Sequence, residues 1–290
     1  MFKAISRIAG ASPIFTAVYL ACSPRFGERL YHPDLFQPLY SPDGNYNHDI
    51  FSKYSYRDVF FPSKNGKKLH GLFFPIEGAR KTILINHGNK GNLFDLGRLL
   101  QLLLDTNNSV FVYDYQGYGR SQGSPSVRRI CEDALAAFDW LVKEEKIEAQ
   151  DIVLYGESLG AGVSCYVARQ REVGGLMLQS AFTNIRDIAI ESIPVLQAYP
   201  SWLFPRPFLD NARTLAEIRK PVLILHGTYD RDVPITHGKK LFATANGSKM
   251  FVELPNTVHD EIAQEDGEVF AKATREFFSS LANRETVQAS

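Results

Sequence analysis

From residue 82 onward the chain repeats one pattern: a short apolar run, in most cases unbroken, then a longer stretch with helical periodicity. The runs occupy residues 82–85, 110–113, 152–155, 175–178, 222–225 and 250–254. The helical stretches occupy 93–105, 127–145, 159–171, 237–244 and 265–281. Continuous aliphatic and β-branched runs mark strands buried on both faces, as in a parallel sheet. Their alternation with helices predicts that the helices cover that sheet, joined by right-handed crossovers. Just upstream, residues 58–61 and 69–74 read as two strands joined by a turn at Asn65-Gly66. The expected fold is therefore α/β: a mostly parallel twisted sheet of about eight strands with helices on both faces.

Three stretches fall outside this rhythm. Residues 23–56 are rich in Pro, Tyr, Asp and Asn and read as an irregular connector, which sets the regular domain at 57–290. Residues 182–216 carry Pro194, Pro200, Pro205 and Pro207 with aromatics around Trp202 and Phe208. They form either a small cap over the sheet edge or a plain long connection. At the start, Lys3 and Arg7 precede a charge-free segment, residues 8–22. A charged n-region followed by an apolar h-region is a targeting pattern, and Leu20-Ala21-Cys22-Ser23 resembles a lipoprotein cleavage site that would lipidate Cys22. Residues 1–22 thus read as a signal peptide, a retained membrane anchor or an ordinary helix. The segment is short for a full span, and Pro13 interrupts it. The first two readings make the protein exported or membrane-associated; the third leaves it cytoplasmic.

Charge narrows the partners. Lys plus Arg and Asp plus Glu are 32 each, so the basic excess of a nucleic-acid-binding chain is missing. Cys22, Cys131 and Cys165 have no paired metal-binding spacing. Cys131 and Cys165 fall in helical stretches, where burial as small apolar residues is the simpler reading than a disulfide.

In such a sheet ligands gather at the carboxyl ends of the strands, so the residues just past each strand matter most. After the run at 152–155 comes Gly156-Glu157-Ser158-Leu159-Gly160, then a helix. A nucleophilic serine must project from a sharp turn, and glycines two residues either side relieve its crowding. The pentapeptide alone is weak, with on the order of 0.1 chance matches in a chain of this length; its place after a buried strand carries the inference. The alternative is a glycine-rich helix start with a capping serine. A serine needs a base, and His259 comes after the last strand. His32 and His48 lie in the connector and His70 inside a strand; His87 and His226 precede glycines at strand ends, and His237 begins a helix. The base needs an acid. Asp230 and Asp232 both come after the run at 222–225, with Asp230 nearer the strand; Asp260 is beside His259, where neighbouring side chains rarely point together, and Asp114, at the end of its own strand, is a distant alternative. An oxyanion hole would use the backbone N–H of Leu159 and of Asn89, in the His87-Gly88-Asn89-Lys90-Gly91-Asn92 loop. Those glycines could instead merely shape a turn.

Taken in order, His87-Gly88-Asn89-x-Gly91-Asn92, Asp114-Tyr115-x-Gly117-Tyr118-Gly119-x-Ser121, Gly156-x-Ser158-x-Gly160, His226-Gly227-x-x-Asp230 and His259 resemble the motifs of alpha/beta hydrolases. The resemblance spans about residues 57–281. It is strongest to membrane-anchored serine hydrolases, a branch that includes acyl-protein depalmitoylases and bacterial relatives. It implies the alpha/beta hydrolase fold with a small cap, a Ser158–His259–Asp230 triad, an oxyanion hole at Asn89 and Leu159, and a structural loop at 114–125. Thr257-Val258 and Gln116 depart from the residues frequent in relatives, which bears on substrate choice. The expected activity is hydrolysis of a small-molecule or lipid-acyl ester or thioester without metal or cofactor. A peptidase or amidase of the same fold and a catalytically silent binding module are the alternatives.

Overall fold

The computed structural model describes residues 13–259 and 262–289. Its main sheet has eight strands: β1 Arg57–Pro62, β2 Lys68–Phe74, β3 Thr82–Asn86, β4 Ser109–Tyr113, β5 Ile152–Glu157, β6 Gly175–Gln179, β7 Val222–Gly227 and β8 Lys249–Leu254. In space they run β1-β2-β4-β3-β5-β6-β7-β8. β2 pairs antiparallel with β1 and β4, and the other neighbours pair in parallel. This is the alpha/beta hydrolase fold.

The unbroken apolar runs have a direct cause. Every residue of β3, β4, β6 and β7 is buried, because both faces of the sheet carry a core. Leu84, Phe111, Leu154, Leu176 and Ile224 belong to one core; Ile85, Val110, Val153, Met177 and Leu223 belong to the other. Alternate residues of a strand face opposite ways, so each strand supplies both. The helices longer than one turn are α1 Pro13–Ala21, α2 Gly97–Leu104, α3 Val127–Lys143, α4 Leu159–Gln170, α5 Ile185–Ser192, α6 Asn211–Glu217, α7 Ile235–Thr244 and α8 Gly267–Ala289. α3, α4, α6 and α7 contribute to the first core, α2 and α8 to the second. The helix expected over 93–105 opens as a 3-10 turn, Leu93–Leu96, whose start is capped by a reciprocal box between Asn92 and Asp95.

Residues 23–56 are more ordered than an irregular connector. They contain a 3-10 turn, Glu28–Leu30, and one-turn helices His32–Leu35 and Ile50–Lys53. Gln37–Pro38 pairs in parallel with Lys90–Gly91, and Phe36 and Ile50 are buried in the two cores. The partners of this strap are remote loops, so its sequence carries no local periodicity to announce it. Residues 182–216 hold α5, two 3-10 turns at Pro194–Ala198 and Ser201–Leu203, and α6.

α1 lies against that interval. Tyr19 donates its hydroxyl to the Ala198 carbonyl at 2.7 Å and stacks on Tyr199. Ile14 and Val18 are exposed. Lys3, Arg7 and the first part of the expected leader, residues 1–12, lie outside the described residues. Among the described residues no helix is long and apolar enough to cross a membrane. Cys22, Cys131 and Cys165 form no disulfide.

Candidate active site

Ser158 stands between β5 and α4 with φ 51° and ψ −113°, a backbone region that costs a non-glycine residue of order 1–3 kcal/mol. The flanking glycines make the turn possible. A Cβ at Gly156 would lie 2.4 Å from the Gly160 carbonyl oxygen, and one at Gly160 would lie 2.0 Å from the Asn86 carbonyl oxygen. The start of α4 is thereby set against the end of β3. Asn86 fastens it, donating to Ser164 Oγ at 2.8 Å and accepting from the Tyr113 hydroxyl at 2.7 Å. The Ser158 N–H donates to the Gln179 carbonyl at the end of β6.

His259 comes from the loop after β8. Its Nε2 is 2.9 Å from Ser158 Oγ, and its Nδ1 is 2.8 Å from Asp230 Oδ2. An ionised carboxylate only accepts, so Nδ1 carries the proton and Nε2 receives the serine hydroxyl. Burial alone would raise the Asp230 pKa. Hydrogen bonds from His226, His259 and the Val233 N–H outweigh it and hold the carboxyl well below the usual range. The His226 contribution is the looser one: its Nε2 is 2.7 Å from the Val233 carbonyl and 3.5 Å from Asp230. Asp230 Oδ1 also accepts from the N–H groups of Asp232 and Val233. Asp232 itself lines the cavity rather than meeting the imidazole. Asp114 sits elsewhere, accepting from the Leu93 N–H, and Asp260 lies outside the described residues.

The loop that presents His259 is tied down from two sides. Ser180 Oγ donates to the His259 carbonyl, and Asp266 accepts from the Asn256 N–H and the Thr257 hydroxyl. The other histidines have structural partners: His32 with Pro125, His48 with Ile50, His70 with Asp58, His87 with Gly88, His226 with Val233, and His237 with Thr183 and Glu191.

Ser158, Leu159, Asn89 and His259 all border one cleft of about 650 Å³. Its apolar wall comes from Ile185, Ile188, Ile193, Leu196 and Phe204, so residues 185–204 roof Ser158. The strap supplies the facing wall with Tyr31, Leu35 and Gln37, a contribution the sequence reading missed. A smaller cavity of about 290 Å³, lined by Asp95, Leu96, Leu99, Glu157 and Gln264, also reaches Ser158.

A serine on a strained strand-to-helix turn, met by an imidazole and a carboxylate from the next strand ends, defines an alpha/beta hydrolase. The family model described as serine aminopeptidase, S33, matches residues 77–212. An alpha/beta hydrolase domain-containing protein of Arabidopsis thaliana, WAV2, is 32% identical over 247 residues, covering 78% of this chain and 80% of its own length. An uncharacterised Escherichia coli protein, YfhR, is 28% identical over 262 residues, with 87% of each chain covered. Among solved structures, a Pyrococcus furiosus esterase matches 85% of this chain and 98% of its own with a TM-score of 0.70 at 19% identity. An esterase of Thermogutta terrifontis matches 78% of this chain and 99% of its own with a TM-score of 0.60 at 20% identity. The chain belongs to the alpha/beta hydrolase family.

Proposed function

We propose that this protein is a serine hydrolase that cleaves a carboxylic ester or thioester through an acyl-enzyme. The observation that carries the reading is the pair of distances at His259: 2.9 Å to Ser158 Oγ and 2.8 Å to Asp230. His259 Nε2 removes the hydroxyl proton as Ser158 Oγ attacks the carbonyl carbon. Asp230 stabilises the imidazolium that results. The new oxyanion accepts hydrogen bonds from the N–H groups of Asn89 and Leu159. Collapse breaks the bond to the leaving alcohol or thiol, which takes the proton from His259. Water, deprotonated by the same nitrogen, then attacks the acyl-enzyme and frees the acid and Ser158. Each role falls to a protein group, so the scheme calls for no metal or cofactor.

The apolar roof over Ser158 supports an acyl group, including that of a lipid, as the part of the substrate it holds. The charge-free run 8–22 supports attachment of the N-terminus to a membrane, either through a lipidated Cys22 once the residues before it are removed or through a retained anchor, the branch that the exposed Ile14 and Val18 support.

A fluorophosphonate probe tests the central claim. Wild-type protein should be labelled at Ser158, and Ser158→Ala should lose both label and p-nitrophenyl ester turnover. Folded wild type that resists labelling, with Ser158→Ala as active as wild type, would sink the mechanism. The match to a serine aminopeptidase model favours peptide hydrolysis as a second reading. Parallel turnover of p-nitrophenyl esters and aminoacyl p-nitroanilides separates the two.

A further inference from the structure

Three successive carbonyls of the loop carrying Asn89 are each held by a specific donor. The Tyr115 hydroxyl donates to the His87 carbonyl at 3.0 Å. His87 Nδ1 donates to the Gly88 carbonyl at 2.8 Å. The Asn89 carbonyl accepts twice, from the Tyr118 hydroxyl and from the Gln37 backbone N–H, both at 2.8 Å. His87 packs against both tyrosine rings, with centroids 4.3 and 5.1 Å away, and the two tyrosines also meet edge to face.

The geometry of a peptide makes this arrangement informative. In a planar trans unit the N–H points opposite the carbonyl. The Asn89 N–H shares its plane with the Gly88 carbonyl, and the next plane holds the Asn89 carbonyl. Fixing both carbonyls fixes the two planes that meet at Asn89, and with them the direction of its N–H. A donor set in place before substrate arrives needs no reorganisation as charge develops.

The strap is the unusual member of this set. Gln37 precedes the domain, and the strap is stitched to both loops that meet at Asn89. Leu39 donates to the Gly91 carbonyl and accepts from Asn92 Nδ2 and from the Gly119 N–H. Farther up the strap, His32 Nε2 reaches the Pro125 carbonyl, and Glu28 accepts from the Val127 N–H. The loop with Tyr118 and the loop with Asn89 are thus clamped by one segment lying across both.

We propose that Tyr118 and the Gln37 N–H are positioning groups for the oxyanion hole, holding the Asn89 carbonyl so that the Asn89 N–H stays aimed at the developing oxyanion. Residues 28–41 are then part of the catalytic apparatus and not a leader to the domain. The inference rests on the oxyanion role assigned to Asn89 above.

Tyr118→Phe removes one hydroxyl and keeps the ring; Gln37→Pro removes the backbone donor. Proline at 37 suits its neighbour, since Phe36 is already extended at φ −138° and ψ 121°. Each variant should lower kcat about tenfold, short of the hundredfold or more lost when a donor is deleted outright. KM should stay within about twofold. Affinity for a trifluoromethyl ketone, whose adduct with Ser158 carries the oxyanion, should fall by the same factor as kcat. Amide exchange in residues 87–92 should quicken while that of α4 does not. A folded variant with kcat and ketone affinity unchanged would overturn the proposal, as would equal losses in KM and kcat, which mark general loosening. If Tyr118→Phe does not fold, Gln37→Pro carries the same test. Ser158→Ala separates the two levels of failure. Activity that survives it defeats the functional reading, whereas Ser158-dependent activity indifferent to Tyr118→Phe and Gln37→Pro defeats this inference alone.

Discussion

Gly160 and Asn86 meet so closely that a Cβ at 160 would stand 2.0 Å from the Asn86 carbonyl oxygen. The contact joins the helix that follows Ser158 to the strand that leads into the Asn89 loop. Gly160→Ala should therefore force α4 away from β3, lowering stability by about 1–3 kcal/mol as overpacking does and reducing ester turnover. Thermal melts and p-nitrophenyl ester assays on the same preparation check both effects. Wild-type stability in the variant would mean that the approach is looser than the structure has it.

Asp230→Asn keeps the shape of the acid and removes its charge. The amide can donate to His259 Nδ1, which favours the tautomer with its proton on Nε2, facing Ser158. Turnover should drop by about 10³–10⁴, with KM little changed. Because hydrogen bonds hold the Asp230 carboxyl well below its usual range, the acid limb of the wild-type rate profile should come from the imidazole. A wild-type kcat/KM profile with no inflection between pH 4 and 9 would contradict that assignment.

Asp114 is fully buried, and burial raises its pKa to about 8. Nearby His87, with Nε2 3.7 Å from Asp114 Oδ1, is pushed down by burial to about 4. A carboxyl whose folded pKa lies above its unfolded value binds its proton more tightly when folded. Its contribution to stability is therefore complete below about pH 4 and is lost as pH rises toward 8. Asp114→Asn removes this dependence, so the variant should gain on wild type as pH rises from 4 to 8, by up to about 1.4 kcal/mol per pH unit. Urea melts at pH 5 and pH 8 measure the difference. Parallel stability curves for the two proteins would show that Asp114 does not titrate in that window.

Ile188 lies in the apolar roof of the Ser158 cleft. Enlarging it in Ile188→Trp should shorten the space for an acyl chain. KM for a p-nitrophenyl laurate substrate should rise about tenfold, a size of effect expected for one or two displaced methylenes, while turnover of the acetate stays near wild type. Equal effects on both esters would place the acyl chain elsewhere.

Much of this was legible in the chain because the physics is local. Continuous apolar runs reported strands buried on both faces, and β3, β4, β6 and β7 are so buried. The glycines around Ser158 reported a turn that crowds its neighbours, and each meets a carbonyl oxygen. The strap was not legible. Gln37–Pro38 pairs with a loop some fifty residues away and builds no hydrophobic period of its own. Tyr115 and Tyr118 stood in a recognised motif, but nothing near them in sequence says that their hydroxyls reach the carbonyls of His87 and Asn89.

Residue order alone was enough for the sheet and for the tight turn at Ser158, and it named the histidine and aspartates that follow the last strands, since these come from burial pattern, steric demand and the chemistry of side chains. It took the folded molecule to settle that Asp230 and not Asp232 meets the imidazole, that residues 185–204 roof Ser158, and that the strap grips the Asn89 loop. Each of those outcomes depends on hydrogen bonds and contacts between segments far apart along the chain. Such contacts are set by how the whole sheet brings its strand ends together, and no local pattern encodes them.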